Sequence, residues 1–202
     1  MIEPQTDPSA TPSALWRFVF GNDHLVEIEI GPGRGELLIA YASARPHVNF
    51  FAIERSSAQA TRVATKAALR GAPNVRVIAG DARCVVGRLV PPTSVAAYHI
   101  YFPDPWPKRR HHRRRLFTDP TFAPALARTL LPDGRVEIAS DLASVLALAA
   151  DALAAAGLTA VTGALPPGGR ATTSFERRYV RDQLHYARFI RTGGQRNRAP
   201  AP

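Results

Sequence analysis

Short apolar runs alternate along the chain with longer stretches where apolar and polar positions mix at helical spacing. Leu25–Gly31, Val48–Glu54, Asn74–Asp81, Val95–Phe102 and Gly134–Ser140 each read as a buried strand. Between them, a helix is predicted from Ser56 or Ser57, either able to cap it, to about Arg70, with Gly71 just beyond its end. Asp119-Pro120 opens a second helix that ends near the turn Leu131–Gly134. The Ala/Leu-rich stretch Asp141–Ala156 forms a third, closed by Gly157. Strands alternating with helices of this length build βαβ units, hence a mostly parallel sheet covered by helices on both faces. Tyr179–Ile190 alternates like an antiparallel edge strand. The fold class is therefore α/β and Rossmann-like. One domain is expected over residues 15–191, with flexible segments at residues 1–14 and 192–202, where Pro, Gly and small polar residues dominate.

Charge narrows the partners. The net charge is +10 over 202 residues, nearly all from arginine, since Lys66 and Lys108 are the only lysines. That balance favours an anionic partner, nucleic acid first. The single cysteine, Cys84, excludes an internal disulfide or a multi-cysteine zinc site and is expected in the core. The six histidines show no ligand spacing beyond the adjacent pair His111-His112, so no metal is expected. No signal-like N-terminal segment and no run of 18 apolar residues is present, so the expected location is the cytoplasm, with no membrane partner.

Candidate chemistry collects at strand ends. Glu29-Ile30-Gly31-Pro32-Gly33-Arg34-Gly35 follows the first strand. Glycines there permit a tight turn and close approach of a ligand to the backbone. The spacing is G-x-G-x-G; a dinucleotide fingerprint would need its third glycine at Glu36. With an acid two residues upstream, this form suits S-adenosylmethionine (SAM), which lacks a pyrophosphate and carries an ammonium. Glu54 ends the second strand, where a carboxylate can accept from both ribose hydroxyls. Asp81 ends the third, either contacting the adenine amino group or capping the helix from Ala82. After the fourth strand comes "FPDPWPKRRHHRRR" (Phe102–Arg115), in which prolines 103, 105 and 107 hold Asp104 and Trp106. Trp106 can stack on a base or simply pack. Lys108–Arg115 is a phosphate-contacting candidate because it adjoins the reacting position. Asp141, after the fifth strand, can serve as a helix N-cap.

With these motifs in place, the chain resembles the bacterial tRNA guanine-N7 methyltransferases that modify position 46 in the variable loop. The segments "EIGPGRGE", "FFAIE", "FPDPWPKRRHHRRRL", "ASD" and "TSFERRY" carry the resemblance, from about Leu25 to Arg191. It implies a class I SAM-dependent methyltransferase. It implies a SAM site formed by Glu29, Gly31, Gly33, Gly35, Glu54, Asp81 and Asp104, with Asp104 the active-site residue. It also implies guanine contacts from Lys108, Asp141, Thr173, Ser174, Phe175 and Glu176. Pro107 stands where histidine is common in the family, and Ser174 replaces a longer polar residue. Guanine N7 has a free lone pair at neutral pH, so in-line transfer needs alignment and charge stabilisation rather than proton removal. The expected role of Asp104 is to orient the base and stabilise its developing positive charge. An amino-group methyltransferase is a rival, but its Asn/Asp-Pro-Pro-aromatic corner is absent. A non-catalytic RNA-binding module would leave the acids Glu29, Glu54, Asp81 and Asp104 unexplained. A small-molecule methyltransferase would leave the arginine run unexplained. The oligomeric state is not readable from the residues.

Overall fold

A computed structural model describes residues 13–104, 115–161 and 184–192. A helix, α1 (Ser13–Phe20), precedes the first predicted strand and has no counterpart in the pattern reading; Gly21 closes it at φ 76°. Then follow β1 (Leu25–Ile30), α2 (Glu36–Ala44), β2 (Val48–Glu54), α3 (Ser57–Leu69), β3 (Val75–Ala79), α4 (Ala82–Arg88) and β4 (Val95–Tyr101). A single 3-10 turn at Leu116–Thr118 leads into α5 (Phe122–Thr129), β5 (Leu130–Ser140), α6 (Ala143–Ala155), β6 (Thr159–Val161) and β7 (His185–Ile190). The strands form a seven-stranded sheet in the order β3-β2-β1-β4-β5-β7-β6. β1 to β5 run parallel, and β7 pairs antiparallel with both β5 and β6.

The local signals work as expected at several ends. The Ser56 hydroxyl accepts from the Gln59 amide and caps α3, and Gly71 leaves it at φ 64°. Gly157, at φ 84°, follows α6. Three expectations need correction. The last strand is internal, because the three-residue β6 pairs outside it; so short a strand leaves no pattern to read. β5 begins at Leu130, four residues early, since Leu130 already pairs with Val95 before the strand bulges and resumes at Arg135 opposite Ala97. Cys84 is exposed: α4 turns Ala82, Val85 and Val86 inward and leaves Cys84 on its outer side.

One sheet face packs against α1, α4, α5 and α6. Trp16, Ile28, Val86, Tyr98, Ile100, Phe122, Leu126, Ile138 and Leu153 form the main core there. The other face packs Phe50, Ala52 and Val75 against Leu38 and Ile39 of α2 and Val63 and Ala67 of α3. Among the described residues, no helix is long and apolar enough to cross a membrane. The chain leaves β1 toward β2 and β3 on one side and places β4 and β5 on the other. The carboxyl ends of β1 and β4 therefore flank a topological switch point, where open α/β sheets bind ligands.

Candidate active site

The turn from β1 into α2 is built by left-handed glycines: Gly31, Gly33 and Gly35 have φ of 71°, 53° and 70°. Gly31 N donates to Ile53 O at 2.9 Å, and Gly35 N to Pro32 O at 2.8 Å. Gln59 and Lys66 of α3 donate to the carbonyls of Gly33 and Arg34. The glycines serve different ends. A Cβ at Gly31 or Gly33 would meet nothing within 4 Å, so these positions face open space. A Cβ at Gly35 would lie 2.8 Å from Val63 Cγ1, so its bareness lets α2 approach α3.

Beside this turn lies a cavity of about 330 Å³ at the carboxyl ends of β1, β2, β3 and β4. Gly31, Gly33, Glu54, Asp81 and Asp104 line it, between apolar walls that include Ile30, Ile53 and Leu116. Glu54 is half-buried and accepts from Ser56 N at 3.0 Å. Asp81 caps α4 by accepting from Arg83 N at 3.0 Å and also pairs with the Arg83 guanidinium at 2.9 and 2.5 Å. The capping alternative is thus realised while the residue still lines the cavity. Hydrogen bonds from Arg83 hold its carboxyl below the usual aspartate value. Asp104 is exposed and stands at the cavity rim, after a turn in which Phe102 adopts φ 52°.

Other sequence-selected residues stand apart. Glu29 is buried within β1 and is not part of the cavity lining; nor is Gly35. Asp141 is half-buried just past β5, outside the lining. It does not cap α6: the N-cap is Leu142, no side chain caps the first turn, and Ser140 Oγ accepts from the Leu142 amide at 3.1 Å. Lys108, Trp106, Thr173, Ser174, Phe175 and Glu176 lie outside the described residues, as does the basic run apart from Arg115. Among the described residues, no group of three or more His, Cys, Asp or Glu has the arrangement to hold a metal ion.

Sequence reasoning missed a buried polar network beneath the cavity. His99 Nε2 lies 2.8 Å from Glu27 Oε2, and His99 Nδ1 lies 3.1 Å from the Tyr101 hydroxyl and 3.4 Å from Glu137 Oε2. Tyr101 donates to Glu137 Oε2 at 2.9 Å. Glu27 also accepts from Arg45 and Arg135, and Glu137 from Arg135 and Arg188. Burial would lower the His99 pKa, but its bonds to Glu137 and Glu27 override burial and raise it above 6.5. Burial would likewise raise the Glu27 carboxyl; the bond and charge of His99, with Arg135 and Arg45, bring it down to about 2. No single apolar run carries this signal: His99, Glu137 and Arg188 meet only as register partners across β4, β5 and β7.

The profile of the family described as "Putative methyltransferase" matches residues 23–187. A tRNA (guanine-N(7)-)-methyltransferase of Rhodococcus jostii is 40% identical over 138 residues, 68% of this chain and 52% of that protein. One from Mycobacterium tuberculosis is 40% identical over 143 residues, with the same coverages. The chain spans about half the length of the curated relatives it matches. In fold, it resembles the 16S rRNA methyltransferase KamB, with a TM-score of 0.60 and 19% identity over 88% of this chain and 91% of that one. A 16S rRNA (adenine(1408)-N(1))-methyltransferase from Catenulisporales acidiphilia, solved with SAM, gives 0.59 and 16% over 97% and 96%. The chain belongs to this methyltransferase family, within which its 40%-identical curated relatives are named tRNA (guanine-N(7)-)-methyltransferases.

Proposed function

We propose that the protein transfers a methyl group from SAM to N7 of a guanine in tRNA, at position 46 of the variable loop. The observation that carries the reading is the cavity itself. It gathers two open left-handed glycines, a strand-end glutamate and two further acids at the switch point of the sheet. The donor set fits SAM. Bare backbone at Gly31 and Gly33 admits close approach, Glu54 can accept from ribose hydroxyls, and Ile30, Ile53 and Leu116 give apolar walls for a ring. Gly35 shapes the turn from behind, and Glu29, buried in β1 just before it, would take part in the SAM site. When bound, SAM supplies an electrophilic methyl group.

The chain's own tasks are positioning and electrostatics. Asp104, at the rim, would orient the guanine and stabilise the positive charge that develops on it. Lys108, Asp141 and Thr173–Glu176 would hold the nucleotide, and Arg109–Arg115 the RNA backbone. The curated relatives' names support the tRNA substrate. Two measurements test the reading: SAM titration by calorimetry, and turnover of Asp104→Asn on unmodified tRNA. SAM binding with a loss of turnover of about 100-fold in the variant is the expected result. Near-complete turnover in Asp104→Asn would remove Asp104 from the chemistry.

A further inference from the structure

Phe102 is a bulky residue in the left-handed region at φ 52°, followed directly by Pro103. Such a conformation is sterically unfavourable and persists only where its surroundings over-determine it. Its position matters, because Asp104 enters the cavity two residues later. The Phe102 amide donates to Ala139 O at 2.8 Å, which ties the turn to β5. Its ring packs against a small cluster of Leu37, Tyr101 and Ala139. The neighbouring Tyr101 is held more tightly than packing requires. Its hydroxyl donates to Glu137 at 2.9 Å and lies 3.1 Å from His99 Nδ1.

We propose that Tyr101 is a positioning residue for Asp104: its hydroxyl, clamped by His99 and Glu137, fixes the strained turn at Phe102. The assignment rests on the reading of the cavity as the methyl-transfer site. The clamp is itself fixed from several elements. Glu27 of β1 holds the far side of His99 at 2.8 Å. Arg188 of β7 and Arg135 of β5 hold Glu137 at 2.9 and 3.1 Å. Arg45, just past α2, and Arg135 hold Glu27 at 2.9 and 3.1 Å. Burying so many charges contributes little net stability over an apolar core. Among the described residues Arg188 Nε is buried without a partner, but the remaining bonds among Tyr101, His99, Glu27, Glu137 and the arginines confer rigidity and a single geometry, which a strained catalytic turn needs.

Tyr101→Phe removes one oxygen and leaves the ring in place. Its kcat on unmodified tRNA should fall about 10- to 100-fold, the scale of a small misplacement of a catalytic group. The SAM Kd and the tRNA KM should change by less than about threefold. His99→Gln should show the same split. In crystals of Tyr101→Phe, Phe102 should leave φ near 52° and Asp104 should shift from the rim. Unchanged kcat per folded molecule, with only a lower thermal midpoint, would reduce the network to a structural role and overturn the proposal. If the wild type transfers no methyl to tRNA, the substrate reading falls. The geometry of Phe102 and Asp104 in the Tyr101→Phe crystals then decides the positioning claim alone.

Discussion

His99 sits between two carboxylates in a site that is 2% exposed, and this makes its proton a structural component. Its folded pKa lies above 6.5, so its contribution is complete below 6.5 and is lost as pH rises through the folded value. Glu27 behaves oppositely. Its carboxyl falls from 4.5 to about 2, so its contribution is present above 4.5 and is lost as pH falls toward about 2. The thermal midpoint of the wild type should therefore hold a plateau between these limits and decline on both sides. In His99→Gln the alkaline decline from this source should vanish; an alkaline decline of undiminished size would place its origin elsewhere. Glu54 and Asp81 were legible in the sequence because each ends an apolar run, where a sheet of this class meets its ligand. Glu27, His99 and Glu137 were not, because each lies inside such a run. Only the sheet, which no single run contains, brings them together: His99 faces Glu137 in register and reaches Glu27 diagonally, its register partner on β1 being Glu29.

The elements that frame the cavity depend on close approaches that can be tested separately. Gly31 and Gly35 share a left-handed backbone, but only Gly35 faces a neighbour, Val63. Gly31→Ala should cost the backbone penalty alone, about 1–2 kcal/mol, and weaken SAM binding. Gly35→Ala adds overpacking between α2 and α3 and should cost about 1–3 kcal/mol more. Urea denaturation of the two variants reads the difference, and equal losses would remove the packing role of Gly35. The α2–β2 connection is held by Asn74, whose side-chain amide donates to the carbonyls of Ala42, Arg45 and Val48 at 3.1, 3.2 and 2.8 Å. Asn74→Ala leaves these acceptors without that donor and should destabilise by about 1–3 kcal/mol in the same assay. The main strands and helices were readable because their apolar runs are long and their ends carry Ser56, Gly71 and Gly157. The place of β7 was not, because it depends on a partner strand of three residues.

At the scale of the whole molecule, a net charge of +10 and a cavity lined by Glu54, Asp81 and Asp104 divide the work. On the proposed function, the positive charge would gather the polyanion, and the acids would serve the cofactor and the base that becomes cationic. Neutralising the arginines among Arg109–Arg115 should weaken tRNA binding and flatten its salt dependence. The log–log slope should fall by about one unit for each arginine–phosphate pairing removed. SAM affinity should be unaffected, and an unchanged slope would detach this run from the RNA. The central claim is tested most directly by incubating the purified protein with SAM and unmodified tRNA, digesting the RNA and identifying the methylated nucleoside by mass spectrometry. The account predicts 7-methylguanosine mapping to the variable loop. A different methylated nucleoside, or SAM binding without any transfer to tRNA, would contradict it.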